Sequence, residues 1–242
     1  MFFWKKPGAA RLQAVILAGG LGERLRPFTQ AIPKPLLPIG EQSLLELQVT
    51  RLAEAGCQKV FIATNYKSQY ISNFIGDGGQ FGVEIACSEE AKPLGTCGPL
   101  SLLREQLDAP FIMMNGDILT TLDFRRFHEY GVGQESVLTV ATKQIRTPFN
   151  FGSVGTKGDH IVHVEEKPEL VFEIVAGIYL MKPEILTRIP DDTFYGVDQL
   201  IQDMLADGQP VTRYPMQEYW LDIGQIDDYR KAEDAYEKHF RR

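Results

Sequence analysis

Apolar residues in the first half of the chain follow two patterns: continuous runs, and a repeat of three to four residues. Short uninterrupted apolar runs predict buried strands, whereas an apolar residue at every third or fourth position predicts an amphipathic helix. The predicted strands are residues 13–18, 59–64, 83–87 and 111–114, and the predicted helices are residues 43–55, 67–75 and 98–106. This alternation of strand and helix predicts a mostly parallel sheet with helices on both faces.

The second half of the chain has a different pattern, in which strand-like segments are separated by turns. The predicted strands are residues 137–142, 152–154, 160–164 and 175–180, and helices are predicted at residues 198–206 and 226–240. We expect some of these strands to be antiparallel and to form a smaller lobe that closes one side of a pocket. No internal repeat or linker divides the chain. We therefore predict an extension at residues 1–12 and a single α/β domain with a Rossmann-like core at residues 13–242.

Net charge, apolar runs and cysteine spacing indicate which classes of partner the protein can bind. The 242 residues carry a net charge of −7, which disfavours a nucleic-acid partner, and no apolar run approaches the roughly 18 residues of a membrane span. The three cysteines, Cys57, Cys87 and Cys97, show no metal-binding or disulfide spacing. These features predict a protein of the cytoplasm that binds neither nucleic acid nor membrane, and they are compatible with a homo-oligomer.

The segment after the first predicted strand, LAGGLGERLRPFTQAIPKPLLPIG at residues 17–40, is rich in glycine, proline and basic residues. It does not match the dinucleotide fingerprint, because Leu25 stands where the third glycine of GxGxxG is required, and no Gly-Lys-Ser/Thr completes a Walker motif. Glycines at positions 19, 20 and 22 allow backbone N–H groups to converge on an anion. Arg24 and Lys34, the latter flanked by prolines, add cations suited to phosphate oxygens.

Further short segments follow in a fixed order: LGTCGPL, NGD, EEKP and YWLDIG. Together with the loop they resemble the sugar-1-phosphate nucleotidyltransferases, whose usual signature is GGxGTRLxP followed by PKP. The resemblance covers nearly the whole chain from about Leu12, and Glu23 stands where many members have threonine. The segments VAGIYLMKPEIL and YWLDIGQIDDYRKA are most similar to short mannose-1-phosphate and heptose-1-phosphate guanylyltransferases.

The resemblance implies a nucleotidyltransferase (GT-A-like) fold with a nucleotide-binding half at residues 13–120 and a sugar-binding half at residues 121–242. The implied reaction joins a nucleoside triphosphate (NTP) and a sugar 1-phosphate into a nucleotide sugar and releases pyrophosphate, with Mg²⁺ as cofactor. By this resemblance Arg24 and Lys34 hold the triphosphate, Lys167 holds the attacking phosphate, and Asp117 and Asp222 bind the metal ion.

The same resemblance implies two sets of substrate contacts. The nucleotide would be bound by Leu17, Ala18, Gly19, Gly20, Glu90, Pro93, Gly95, Asn115 and Gly116. The sugar would be bound by Gly152, Glu166, Lys167, Val175 and Gly177.

The base and the sugar are less strongly indicated than the reaction. A carboxylate at Glu90 can accept hydrogen bonds from guanine N1–H and N2–H, which favours GTP, but the single N3–H of uracil also satisfies it. Val175 stands where guanylyltransferases of this kind usually have asparagine. A valine at this position resembles the sequence of glucose-1-phosphate thymidylyltransferases. A hexose or heptose 1-phosphate is therefore expected, and uridylyl or thymidylyl transfer to glucose 1-phosphate or an amino-sugar 1-phosphate is the alternative.

Two further classes of function are disfavoured by the sequence. A regulatory module that senses nucleotide sugars is disfavoured, because such a module has no need to keep Arg24, Lys34, Asp117, Lys167 and Asp222 together. A nicotinamide-dependent dehydrogenase is disfavoured by the incomplete glycine fingerprint.

Overall fold

The structure, a computed structural model, describes residues 11–241, so residues 1–10 of the predicted extension lie outside the described part. Strands are β1 (Gln13–Leu17), β2 (Pro38–Ile39), β3 (Gln42–Ser43), β4 (Lys59–Thr64), β5 (Glu84–Glu89), β6 (Phe111–Asn115), β7 (Ile118–Thr120), β8 (Leu138–Pro148), β9 (Ser153–Lys157), β10 (His160–Glu165), β11 (Glu169–Met181), β12 (Thr212–Pro215) and β13 (Trp220–Asp222). Helices are α1 (Phe28–Ala31), α2 (Leu44–Glu54), α3 (Ser68–Ile75), α4 (Phe124–Val132), α5 (Val197–Ala206) and α6 (Ile226–His239).

A seven-stranded sheet in the order β12-β8-β11-β6-β1-β4-β5 forms the centre of the protein. Strands β6, β1, β4 and β5 run parallel, β12 runs parallel to β8, and β11 is antiparallel to both β6 and β8. The prediction of a mixed, mostly parallel sheet is confirmed. Strands β8 and β11 are longer than predicted because they continue to pair with each other beyond the sheet, up to the pair of Glu169 with Pro148.

One predicted helix has a different form in the structure. Residues 98–106 were expected to be an α-helix, but Gly98–Leu103 is a 3₁₀ helix. The backbone N–H groups of Cys97 and Gly98 both donate to the carbonyl of Tyr195, which ties the start of this segment to a distant loop. A helix is therefore present at the predicted place, but it is shorter and of the 3₁₀ type, and its start is held by a tertiary contact.

Both faces of the sheet are covered by apolar side chains. One core lies under α2, α3 and α4, and the other lies between the sheet, the 3₁₀ helix and α5. Helix α2 begins with a capping box in which the Ser43 hydroxyl accepts from the Glu46 N–H and the Glu46 carboxylate accepts from the Ser43 N–H. Within residues 11–241 no helix is long and apolar enough to cross a bilayer.

His128, on α4, is buried and should make stability depend on pH. Burial lowers the pKa of its imidazole below the ordinary value of 6.5, although the Pro110 carbonyl and the charge of Glu129 oppose this shift. The unfolded chain therefore binds a proton more readily than the folded chain as the pH falls below about 6.5. We expect the melting temperature to fall between about pH 7.5 and pH 5.5, and the fall to be smaller in His128→Gln. Thermal denaturation checks this, with the exposed His163→Gln as control; equal pH dependence in all three proteins would contradict it.

Candidate functional site

A cleft of about 660 Å³ opens at the carboxyl ends of the parallel strands. Ligands of open α/β sheets bind at this edge, because the loops that follow the strands converge there. The cleft contains every residue predicted to bind the nucleotide and three of the residues predicted to be catalytic. These are Leu17, Ala18, Gly19, Gly20, Arg24, Lys34, Glu90, Pro93, Gly95, Asn115, Gly116 and Asp117.

The glycine-rich loop has a fixed shape at Gly22. This residue has a φ of 61°, and a Cβ there would lie 2.7 Å from Cγ2 of Thr29, so a side chain would be both strained and crowded. The buried hydroxyl of Thr29 donates to the Gly22 carbonyl at 2.8 Å. The loop is therefore closed by Thr29, a residue that the sequence analysis did not select.

Lys67 contacts the segment that follows the glycine-rich loop. The sequence analysis did not select this residue either. Its Nζ donates to the carbonyls of Gln30 and Ala31 at 2.6 and 2.8 Å, and it lies over the rings of Tyr66 and Tyr70. Lys67 is itself in the left-handed region, with a φ of 55°. This contact joins positions 37 residues apart, and a single sequence has no local pattern that indicates it.

Lys34 and Asp117 form an ion pair in the cleft. The Lys34 Nζ lies 2.6 Å from the Asp117 Oδ2, with only 11% of the lysine side chain and 26% of the aspartate side chain exposed. Lys34 begins a short 3₁₀ turn between Pro33 and Pro35, which restricts its backbone. The two predicted catalytic residues are thus brought together from sequence positions 83 residues apart.

Asp222 lies next to this pair. Strand β13 places it opposite Ile118 on β7, and the Ile223 N–H donates to the Asp117 carbonyl at 3.0 Å. Burial raises the pKa of the Asp222 carboxyl, and the negative charge of Asp117 raises it further, while Lys34 and Arg24 lower it. A pair of partly buried carboxylates whose negative charges interact in this way is typical of a site that binds a cation.

The donor set fits a hard divalent cation such as Mg²⁺. The Oδ1 atoms of Asp117 and Asp222 are both buried and lack a hydrogen-bond partner among residues 11–241. No group of three or more His, Cys, Asp or Glu side chains suited to a metal ion occurs in that part of the chain. Mg²⁺ commonly takes one or two carboxylates and completes its shell with phosphate oxygens and water, so two aspartates are sufficient.

Arg24 also lines the cleft, and its charge lowers the pKa of the Asp222 carboxyl. Its guanidinium nitrogens lie 3.5 and 3.6 Å from the position that a Cβ on Gly224 would occupy. Gly224 also lines the cleft, directly after β13. These distances place the planar guanidinium in van der Waals range of residue 224, two positions after Asp222.

Glu90 has a structural contact as well as its predicted contact with the base. Its Oε2 accepts a hydrogen bond from the Leu94 N–H at 2.8 Å, which closes the turn that carries Pro93. Burial raises the pKa of the Glu90 carboxyl, and the bond from Leu94 lowers it. Because a carboxylate has about four acceptor positions, this bond leaves acceptor capacity for a base.

A smaller pocket of about 280 Å³ adjoins the cleft, since Asn115 lines both. It contains Val175, Gly177 and Asp222 among the predicted residues. Gly177 has a φ of 69°, and a Cβ there would lie 2.8 Å from the Asn115 side-chain nitrogen. The sequence analysis missed Trp220, which also lines this pocket and donates its ring N–H to the Ala176 carbonyl at 2.8 Å.

Three predicted sugar-binding residues lie elsewhere. Gly152, Glu166 and Lys167 flank the β9–β10 hairpin, which together with the paired outer ends of β8 and β11 we call the arm. In the described part of the chain they line neither pocket. They are close to one another, because a Cβ on Gly152 would lie 3.0 Å from the Glu166 Oε2, and Lys167 has a φ of 48°.

The family described as nucleotidyl transferase matches residues 13–239. The chain belongs to this family. A relative with curated function, the probable mannose-1-phosphate guanylyltransferase 1 of Oryza sativa subsp. japonica, is 32% identical over 227 residues, which are 90% of this chain and 63% of the relative. This nucleotidyl transferase chain thus spans less than two thirds of the length of that relative.

Solved structures of similar size share the fold. A putative glucose-1-phosphate thymidylyltransferase from Bacillus anthracis, solved in complex with sucrose, is 25% identical, with a TM-score of 0.76 over 92% of this chain and 94% of that chain. HddC from Yersinia pseudotuberculosis, complexed with GMP-PN, is 27% identical, with a TM-score of 0.71 over 93% of this chain and 99% of that chain. The nucleotidyl transferase fold therefore accounts for nearly all of this chain.

Proposed function

We propose that this nucleotidyl transferase transfers GMP from GTP to a hexose or heptose 1-phosphate and releases pyrophosphate. The observation that carries the proposal is the Lys34–Asp117 ion pair beside Asp222, at the junction of a large cleft and a smaller pocket. The cleft has the loops suited to a nucleoside triphosphate, and the smaller pocket has the volume for a sugar. The cations and carboxylates at the junction would face the phosphates of both substrates.

The chemistry requires no covalent enzyme intermediate. A phosphate oxygen of the sugar 1-phosphate attacks the α-phosphorus of GTP, the new phosphorus–oxygen bond forms, and the bond to the bridging oxygen breaks so that pyrophosphate leaves with the electron pair. Catalysis of such transfers rests on positioning and on neutralisation of charge. Arg24 and Lys34 would neutralise the triphosphate from the glycine-rich loop, and Gly19 and Gly20 would allow its oxygens close to backbone N–H groups.

Asp117 and Asp222 would hold Mg²⁺, in agreement with their two unpartnered carboxylate oxygens. When bound, the ion would supply positive charge that offsets the negative charge of the reacting phosphates. Lys167 lies on the arm and outside both pockets, so its proposed contact with the sugar phosphate requires the arm to approach the smaller pocket. Glu166 and Gly152 would then reach the sugar from the same side.

Guanine is favoured over other bases by two independent considerations. The Glu90 carboxylate has acceptor capacity for guanine N1–H and N2–H after its bond to Leu94. The relative from Oryza sativa is named as a guanylyltransferase, and HddC was solved with a guanine nucleotide analogue. Uridylyl or thymidylyl transfer is the alternative to be tested, since the single N3–H of a pyrimidine can also donate to the Glu90 carboxylate.

A substrate panel tests the proposal. Purified protein with Mg²⁺ would be incubated with GTP, UTP, dTTP, CTP or ATP and with mannose, glucose, N-acetylglucosamine or heptose 1-phosphate, and pyrophosphate release would be measured. We expect the highest kcat/KM with GTP. A higher kcat/KM with UTP or dTTP would refute the assignment of the base, and no release with any pair would refute catalysis and leave a nucleotide-sugar sensor.

Gly20→Ala should weaken triphosphate binding without unfolding the protein. A Cβ at Gly20 would meet no atom within 4 Å, so we expect the free energy of unfolding to change by less than about 0.5 kcal/mol. The added methyl would project into the cleft and block the approach of a phosphate, raising KM for the triphosphate about tenfold. Steady-state kinetics and thermal denaturation check this, with the exposed Gly133→Ala as control. An unchanged KM would remove Gly20 from the proposed binding loop.

A further inference from the structure

Gln48 is a polar side chain in an apolar position. It lies on the face of α2 that packs on the sheet, among buried leucines such as Leu45 and Leu52, and it is only 4% exposed. Glutamine is seldom buried to this degree, because its amide must find partners away from water. Its position therefore calls for a reason other than packing.

The side-chain amide of Gln48 bridges the turn that carries Asp117. Its Nε2 donates to the Asn115 carbonyl at 3.1 Å and to the Ile118 carbonyl at 2.8 Å. These carbonyls belong to the residues that flank Gly116 and Asp117. An amide nitrogen has two hydrogens, so both donors are used on the two ends of one turn.

The backbone of this turn makes two further hydrogen bonds. Gly116 donates its N–H to the Leu17 carbonyl at 2.9 Å, and the backbone carbonyl of Asp117 accepts from the Ile223 N–H at 3.0 Å. These bonds fix the turn to β1 and to the end of β13. Gln48, on α2, binds both ends of the same turn, and so restricts the direction in which the Asp117 carboxylate leaves the backbone.

We propose that Gln48 is a positioning residue that orients Asp117 toward the metal ion and the reacting phosphates, an inference that rests on the proposed function. The Gln48 Oε1 has no hydrogen-bond partner among the described residues. The position therefore keeps a buried, unsatisfied acceptor together with two donors that are both used. A leucine or methionine of similar volume would avoid that unsatisfied acceptor but would leave the turn unbridged.

The chain offers a matched control in Gln13. This residue is also fully buried, its Nε2 donates to the Gln106 carbonyl at 3.0 Å, and its Oε1 also lacks a partner among residues 11–241. It lies at the start of β1, at the end of the sheet opposite the cleft. Gln13→Met therefore repeats the chemical change of Gln48→Met without touching the turn at Asp117.

The experiment compares wild type, Gln48→Met and Gln13→Met in two assays. Binding of Mn²⁺ in the presence of a non-hydrolysable GTP analogue would be followed by electron paramagnetic resonance of the free ion. Pyrophosphate release would be measured as a function of Mg²⁺ and of sugar 1-phosphate. We expect Gln48→Met to weaken Mn²⁺ binding about tenfold and to lower kcat about tenfold, with KM for the sugar 1-phosphate changed less than twofold.

Gln13→Met should leave metal binding and kcat at the wild-type level even where it lowers the melting temperature. Equal effects of the two variants, or normal Mn²⁺ binding by folded Gln48→Met, would overturn the inference while leaving the proposed function intact. If wild type releases no pyrophosphate, the proposed function fails, and Mn²⁺ binding still tests the role of Gln48. If Gln48→Met does not fold, Gln48→Asn, which keeps the amide but shortens its reach, takes its place in both assays.

Discussion

Asp117→Asn should lower kcat for pyrophosphate release about 1000-fold, which corresponds to about 4 kcal/mol of transition-state stabilisation. The substitution keeps the size of the side chain but removes the charge that pairs with Lys34 at 2.6 Å and that would bind the metal ion. It also leaves a largely buried ammonium without its counter-ion. We therefore expect a loss of stability in addition to the loss of activity.

Two measurements separate these effects. Thermal denaturation with and without Mg²⁺ and GTP reports folding and ligand binding, and steady-state assays at saturating substrate report kcat. Asp234→Asn, at an exposed position of α6, is the control and should behave as wild type. Full turnover by Asp117→Asn would show that this carboxylate is not part of the catalytic machinery.

Lys34→Met should lower kcat/KM for the triphosphate between about 100-fold and 1000-fold. The ammonium of Lys34 is held in a fixed direction by its pair with Asp117 and by the short turn between two prolines, so its charge needs little rearrangement during the reaction. Methionine keeps the length of the side chain and its apolar contacts. The expected loss of kcat/KM therefore measures the contribution of the positive charge of Lys34.

Lys92→Met provides the matched control for this variant. Lys92 also forms an ion pair with an aspartate, Asp192, at 2.9 Å, but 54% and 78% of the two side chains are exposed. Exposed pairs of this kind contribute little to stability, and this one lies outside both pockets. Similar kinetics in Lys34→Met and Lys92→Met would contradict the role given to Lys34.

The family resemblance and the rule that ligands bind at the carboxyl ends of parallel strands predicted many of the residues in the large cleft, but not Asn65, Phe194 or Gly224. Leu17, Asn115 and Glu90 each end a strand or follow one directly, and parallel strands bring such positions to the same edge of a sheet. Periodicity of apolar residues therefore predicted both the sheet and the place of the site. Lys34 and Asp117 were selected from two short motifs, and the fold brings them within 2.6 Å.

The supporting contacts could not be predicted in the same way. Lys67, Thr29 and Gln48 act through backbone carbonyls, which carry no sequence signal. Gln48 did have one indication, since it is a polar residue within the apolar stripe of an amphipathic helix. Its partners are 67 and 70 residues away, so their identity depends on how α2 packs on the sheet.

The sugar-binding predictions illustrate a different limit. Gly152, Glu166 and Lys167 belong to a motif whose chemistry suits a sugar phosphate, but a motif gives no information on how far its segment lies from the site. The structure puts these residues on the arm, whereas Val175 and Gly177 line the smaller pocket. Residues predicted to bind one sugar are thus divided between two places.

Strand β11 runs from the arm into the central sheet, and the change from one to the other occurs within it. Its pairing with β8 shifts register between Val175 and Tyr179, and Ala176–Met181 is buried while most of Glu169–Val175 is exposed. One end of this strand belongs to the hydrophobic core, and the other supports surface residues that contribute little to folding. If the arm contacts the sugar as proposed, substitutions there that change the preferred sugar would carry little thermodynamic cost, which would make the arm a suitable target for engineering acceptor specificity.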